Sequence, residues 1–523
     1  MSGLECSEVS MKNIDLGDRI DAEYFTHTYL HIESLLSQKE TVPLKKLGSL
    51  VASAFYPAAT QLYDSGEVPF VRCVDSISFP AITHVQENSF ERIPESFISE
   101  NKGINKIKQN DIVITKVGTP CFSSIVKDYD EVALSRTVLG LTDIQKVIPE
   151  YLLVFLRSQY GFLQLFRMRE LTIQYQLTLD RVGKINVLLP SSEFQSNIKS
   201  VFEEYLFLMK QSVKQYHEAD NLLLSTLALD DFTPSKENTS VKTFSQITAS
   251  ERLDAEYYQP KYDDIERKLI DYDPNIKTLA EVALYIFTGE YSEDYCGMDE
   301  NKDLRYYIRG TDINGGKVEK DISHCVNPKG FTKFVTTGDI VTGRVGTIGN
   351  FGVIDKTLDS AVYSDNILCF HLPDTYLPEA YAVYFNSPMI QQLIVRLARG
   401  SVQQRLNQET LREVLVPFIK SDTQQEIAEK VRHSFALREQ SKALLKVATR
   451  AVEIAIEQDE TAGMKYLQEA QQAKDEKLRH PSWGDFYASE SRQEKEAILQ
   501  KIFNGALTPK ETELFFPKDG EDK

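Results

Sequence analysis

The sequence predicts a mixed α/β chain, of the α+β kind, built twice over as a tandem repeat. Three observations predict it: short motifs recur in a fixed order, strand-like runs end in glycine turns, and each half closes on a long helical stretch free of Gly and Pro. The recurrence begins with "RIDAEYF" at 19–25, which returns as "RLDAEYY" at 252–258, 233 positions later. "FVRCVDS", with Arg72 and Asp75, answers to "YIRGTDI", with Arg309 and Asp312. "NDIVITKVGT" (110–119) answers to "GDIVTGRVGT" (338–347), "EYLLVFLRS" (150–158) to "EAYAVYFNS" (379–387), and "VLLP" (187–190) to "VLVP" (414–417). Five matches in one order at offsets of 227–237 exclude coincidence and define a duplication with small loop differences.

Each half ends alike. Residues 191–232 and 421–458 are rich in Glu, Lys, Gln and Leu and open with Ser followed closely by acidic residues, so both are expected to be long capped helices. Ile198, Phe202, Tyr205 and Met209 on one, and Ile427, Val431, Phe435, Leu444, Leu445, Ala448, Val452 and Ala455 on the other, fall at three- and four-residue steps. Each apolar stripe needs a partner, and the helix of the other repeat is the expected one. About 36 helical residues make a rod of roughly 54 Å, long enough to hold two globular units apart. The polar stretch 232–245 reads as a linker. Residues 478–523 have no counterpart in the first half; within them "EKEAILQKIFNGAL" reads as a short amphipathic helix ending near Gly505, docked on the chain or on a partner. The expected organisation is a first unit at 1–190, a long helix at 191–231, a linker at 232–245, a second unit at 246–417, a second long helix at 418–477 and an extension at 478–523.

Composition narrows the function classes. With 42% hydrophobic and 10% aromatic residues in 523, the chain can build several cores. No apolar run reaches about 18 residues, and the start lacks a basic n-region and an apolar h-region, so a cytosolic protein without a membrane role is expected. The six cysteines form no CxxC and the eight histidines no HExxH, so neither zinc nor a disulfide framework is expected. A net charge of −18 argues at first against a polyanionic ligand. Its distribution reverses that: residues 101–190 carry 12 Lys/Arg against 8 Asp/Glu and residues 329–417 carry 8 against 8, leaving −22 on the rest. There is no GxSxG, P-loop, GxGxxG after a strand, or Asn-Pro-Pro-aromatic stretch, and the Pro-Asp of "HLPDTYLPEAY" is not followed by Asp/Glu-x-Lys. Binding without a cofactor is expected rather than catalysis.

The candidate contacts lie where the repeat is densest. On an extended chain Ile112, Ile114 and Lys116 share one face, as do Ile340, Thr342 and Arg344, so each strand ends on a cation beside a glycine turn, Gly118-Thr119 or Gly346-Thr347. Turn amides and a cation suit a phosphate or a base edge; a solvated charge on an ordinary β-turn is the plainer alternative. Arg167, Arg169, Arg396 and Arg399 lie late in helices beginning near Glu150 and Glu379 and either face phosphates or complement a helix C-terminus. Gln176, Gln403, Gln404 and Arg405 follow in "TIQYQLTL" and "GSVQQRLNQ"; Gln and Arg suit bidentate contacts with adenine and guanine, against a role as polar loop filler. Arg72 with Asp75, and Arg309 with Asp312, read as structural ion pairs.

Two "GDIV…GT"-type strands and turns, each followed by "FLRS" or "FNSP", a Gln-rich turn, "VP" and a long helix, resemble the DNA specificity subunits of type I restriction-modification systems, as do "RLDAEYYQPKY" and "ALLKVATRAVEIAIEQ". The resemblance covers residues 15–460. It implies two target-recognition domains with twisted mixed sheets, related by a pseudo-twofold axis and separated by two long antiparallel helices. Each domain would read half of a bipartite site in double-stranded DNA, and the helices would dock methyltransferase subunits, two being expected, with a motor or nuclease subunit as a further partner. Half-sites about one helical turn apart, roughly 34 Å, suit the expected rod. The chain departs from the pattern at Pro120 and Cys121, where the second copy has Ile348 and Gly349, at Tyr175 in the first Gln-rich turn, and in the extension. Two rival readings stand beside this one: a self-sufficient DNA-modification enzyme with degenerate motifs, and a duplicated protein-interaction scaffold.

Overall fold

The computed structural model describes residues 7–9, 21–54, 61–63, 65–85, 90–170, 175–250, 252–298, 302–321, 323–345, 348–398 and 405–472. The expected extension at 478–523 lies outside them. The chain divides into two compact units, Met1–Lys210 with Glu439–Lys523, and Gln211–Arg438. The boundary crosses both long helices instead of falling at their ends, because each helix contributes one half of its apolar stripe to each unit's core.

In the first unit a five-stranded sheet runs in the order Ser49–Ala52, Val138–Thr142, Ile112–Thr115, Ser123–Val126, Ala81–Ile82. All pairings are antiparallel except the last, which is parallel. A four-stranded sheet, Glu91–Ile93, Val68–Val71, Glu131–Leu134, Lys106–Lys108, has a parallel pair at its centre. The second unit repeats this plan. Its larger sheet runs Tyr285–Thr288, Ile367–His371, Ile340–Gly343, Phe351–Val353, Gly316–Val318, Ile313–Asn314, again with a parallel pairing after the fourth strand. Its smaller sheet, Cys325–Val326, Arg305–Ile308, Val362–Tyr363, keeps the central parallel pair. The expectation of mixed sheets in two similar α/β units agrees with this order.

The "DIV" strands sit at the middle of these sheets. Every residue of Ile112–Thr115 and Ile340–Gly343 is buried. Ile112 and Ile114 pack into the core that contains the helices, while Val113 faces a second core with Val71, Ile82 and Val132. Ile340 and Val341 divide in the same way. Apolar surface on both sides is what a β-branched run without polar alternation demands.

The stretch after Glu150 is two helices, not one. Pro149–Arg157 ends at Ser158, which sits extended at ψ 159°, and Gln159–Arg167 follows; in the second unit Pro378–Asn386 breaks at Ser387 before Pro388–Leu397. Ser158 Oγ accepts from Gly161 N at 3.2 Å, capping the new helix, and a Cβ on Gly161 would stand 2.1 Å from the Phe155 carbonyl, so only glycine permits the tight return. Pro388 does the same work in the second copy, since proline pre-sets the first helical turn.

The long helices are Ser192–Thr226 and Ser421–Glu457, and a separate helix, Glu460–Gln472, follows the second. In the first unit Phe194, Ile198, Phe202 and Tyr205 share a core with Leu445, Ala448, Val452 and Ala455. In the second, Ala219, Leu223 and Leu227 share one with Ile427 and Val431. The start of one helix meets the end of the other in each unit, so the pair is antiparallel. A buried glutamine near each helix start performs the same task in both copies: Gln195 Oε1 accepts from Ile148 N at 2.9 Å, and Gln424 Oε1 from Leu377 N at 2.7 Å, satisfying the residue before each Pro-led helix.

Glu453, fully buried on the second long helix, accepts from Gln159 N at 2.9 Å and from Arg450 Nη1 at 3.3 Å, with Glu457 and Tyr466 nearby. Burial pushes its carboxyl up to about 7, against the lowering pull of Arg450. A raised carboxyl stabilises the fold fully below its unfolded value, near pH 4.5, and that contribution is lost as pH rises through about 7. Urea midpoints at pH 5 and pH 8 for the natural chain and for Glu453→Gln check this. The natural chain is expected to lose about 1 to 3 kcal/mol relative to the variant across that interval.

Candidate nucleic-acid interface

The central strand of each larger sheet is packed on both faces and paired along both edges, so only its ends reach the surface, and a cation stands at the C-terminal one. Lys116 stands there in the first unit and Arg344 in the second, both half-buried. Their backbones are held identically. Lys116 N donates to Thr137 O at 2.8 Å, and its carbonyl accepts from Leu177 N at 3.0 Å. Arg344 N donates to Asn366 O at 2.9 Å, and its carbonyl accepts from Leu406 N at 2.9 Å. The next residue pairs with the Gln-rich turn: Val117 bridges Gln176, and Val345 bridges Arg405.

This ladder joins two motifs that lie some 60 positions apart in the sequence. In the first unit it brings together Lys116, Gly118, Thr119 and Gln176. Gly118 has φ +89° and is exposed, and a Cβ there would meet nothing within 4 Å, so conformation rather than space requires glycine and the amide side lies open to a ligand. Thr119 is almost buried, with its carbonyl accepting from Cys73 Sγ at 3.4 Å. Cys121 is itself buried at φ +79°, where Thr115 O takes its amide at 3.0 Å. In the second unit Arg344 and exposed Arg405 are brought together. Gly346, Thr347, Arg399, Gln403 and Gln404 lie outside the described residues.

Charge state separates the candidate cations. Lys116 and Arg405 make no ion pair among the described residues, and Arg344 donates only to the Asp365 carbonyl, at 3.2 Å, with its Nε unpartnered. Arg167 and Arg396, by contrast, are occupied inside their units. Arg167 Nε donates to Tyr24 O at 2.8 Å and Nη1 to Glu33 at 3.0 Å, with the guanidinium 4.1 Å over the Tyr24 ring. Arg396 Nε donates to Tyr257 O at 2.8 Å and Nη1 to Glu266 at 2.8 Å, 4.5 Å over the Tyr257 ring. Arg169 is 1% exposed and pairs with Glu23. All three guanidinium groups are thus held inside their units and not turned outward: for Arg167 and Arg396 the repeated DAEY motif supplies a carbonyl and a ring and the helix after it the carboxylate, and for Arg169 the motif supplies Glu23. The sequence signal was present, since Tyr24 and Tyr257, Glu33 and Glu266, keep one offset of 233.

The Arg72 and Arg309 pairs are structural, as expected. Arg72 N and Arg309 N each donate to the Asp three residues on at 2.7 Å, and burial raises Asp75 and Asp312 despite the adjacent guanidinium. Among the described residues no group of three or more His, Cys, Asp or Glu is arranged to hold a metal, and no helix is long and apolar enough to cross a membrane.

A two-sheet plan repeated in both units, with a half-buried cation at the end of each central strand, defines the class, a tandem-repeat α/β protein. Residues 276–446, in the second copy, match the model of the type I restriction modification DNA specificity domain. Among solved structures, the chain is similar to the S subunit of a type I restriction-modification system from M. genitalium, at 11% identity over 82% of this chain and 95% of that one, TM-score 0.38. It is similar also to the HsdS subunit from Thermoanaerobacter tengcongensis, at 14% identity over 82% and 96%, TM-score 0.25. No curated protein matches the chain.

Replacing an occupied cation and an exposed one should differ sharply. Arg396→Ala, which removes the partner of Glu266, the donor to the Tyr257 carbonyl and the packing on the Tyr257 ring, is expected to cost about 2 kcal/mol or more, whereas Arg405→Ala should stay within about 0.5 kcal/mol. Urea unfolding of both variants measures the contrast.

Proposed function

We propose that the chain is a noncatalytic recognition subunit that reads a bipartite site in double-stranded DNA and presents it to methyltransferase subunits docked on the long helices. The observation that carries this reading is the backbone ladder present in both units, which ties the strand-end cation to the segment after the helix pair, Lys116 to Leu177 and Arg344 to Leu406, and in the first unit sets Gly118 beside Gln176. Lys116, Gly118, Thr119 and Gln176 are the proposed contacts of the first unit. Arg344 and Arg405, with Gly346, Thr347, Arg399, Gln403 and Gln404 from the sequence, are those of the second. A specificity domain in the second copy supports assigning DNA to the repeat. Two units in one chain would serve two half-sites, and the shared helices would offer two related docking surfaces. Methyl transfer, and any ATP hydrolysis or cleavage, would reside in partner chains. With a net charge of −18 the isolated chain should bind DNA weakly, partners completing the positive channel.

The test begins with a tagged pull-down from native cells, partner identification and intact-complex mass. Recovery of a methyltransferase is expected, at two copies per chain; a complex without one would overturn the reading. The recovered complex should then bind duplex DNA with a steep salt dependence. Arg344→Ala in that complex should weaken binding by about 1 to 3 kcal/mol, and unchanged affinity would remove Arg344 from the interface.

A further inference from the structure

Arg169 reaches more of the first unit than Arg167 does. Its Nη1 donates to Phe166 O at 2.8 Å, its Nη2 meets Glu23, and its guanidinium lies 3.8 Å over the Phe166 ring. On the far side the Tyr175 ring sits 5.2 Å from the same guanidinium. Tyr29 also hydrogen-bonds to it from the first helix of the unit. One buried cation thus ties the DAEY segment to the Gln-rich turn.

Backbone bonds tie that turn to its surroundings. Glu170 N donates to Gln176 O at 2.9 Å, closing the loop at its base, and Gln176 bridges Val117 on its other side. Such a ladder fixes where the turn runs. It does not fix which way Tyr175 and Gln176 project. Adjacent side chains on extended backbone leave on opposite sides, so seating the Tyr175 ring on the Arg169 guanidinium turns Gln176 the other way. In the second unit the corresponding stretch, residues 398–407, contains no aromatic residue to take the place of Tyr175, and Arg252 of the DAEY segment donates to the Ala398 carbonyl at 3.4 Å.

We propose that Arg169 is a positioning residue for DNA recognition by the first unit, acting through Tyr175 to orient Gln176 while contacting no DNA itself. The proposal rests on the DNA-reading function proposed above. It predicts an effect confined to one half-site, because only one unit contains the Arg169–Tyr175 contact.

The experiment uses the full chain in its partner complex, after the methylated target has been mapped in the cell's DNA. Binding is measured to the intact target and to duplexes with either half-site altered, for the natural chain, Arg169→Lys, Tyr175→Ala and the double variant, with Lys116→Ala and Arg344→Ala marking which half belongs to which unit. Lysine keeps the charge but has no planar face to carry the ring. Arg169→Lys is expected to reduce discrimination by about tenfold at the half-site that Lys116→Ala affects and to leave the other half unchanged. Tyr175→Ala should do the same, and the double variant no more. Equal losses at both half-sites, or discrimination like that of the natural chain, would overturn the proposal. Tyr175→Ala keeps the test decisive should Arg169→Lys fold poorly. A natural complex with no preference for either half-site would instead refute the DNA-reading function on which it rests.

Discussion

The structure depends on a strand that has no free side. Ile112–Thr115 and Ile340–Gly343 are paired along both edges and packed on both faces, so nothing along their length is available to a ligand. Function is driven to the strand end, where the chain must leave the sheet and turn. The positive φ of Gly118 and the carbonyls that Lys116 and Arg344 offer to the Gln-rich turns follow from that exit. Burial therefore creates the site by leaving one place where backbone, cation and turn come to the surface together.

Charge is distributed by the same economy. The chain is strongly acidic, and most of its described arginines near the sheets are occupied by carboxylates, carbonyls and aromatic rings inside a unit. The clasp of Arg167 on Tyr24 and Glu33, repeated by Arg396 on Tyr257 and Glu266, anchors the segment that enters each unit to the helix that leaves the central sheet. A guanidinium needs several partners at once to offset its desolvation, and the duplicated motif preserves all of them together. Among the candidate cations at the strand ends and the Gln-rich turns, Lys116 and Arg405 make no ion pair among the described residues, and the Arg344 side chain donates to a carbonyl.

The two copies share a plan but not every support. Gly161 with a Ser158 cap and Pro388 are two solutions to the same helix break. Tyr175, which packs on Arg169, has no aromatic counterpart in residues 398–407. A duplication held together by backbone ladders tolerates such divergence at side chains.

Much of this was legible beforehand. The duplication, the long helices, the strand-end cations and the Arg72 and Arg309 pairs followed from ordered motifs, helical spacing and local turn chemistry, all of which are written at short range. The broken helix at Ser158 was not, because "EYLLVFLRSQYGFLQLFR" contains no proline and a single glycine and so carries no strong local signal for a stop; the close approach of Gly161 to the Phe155 carbonyl exists only once the two helices have folded back. Nor were Gln195 and Gln424, whose value lies in an unsatisfied N–H more than 40 residues away. The sequence by itself determined that there are two like units and which motifs each contains. Only the tertiary structure decided which arginines are buried and which are exposed, since that depends on the carboxylates and rings that distant segments bring within reach of each guanidinium.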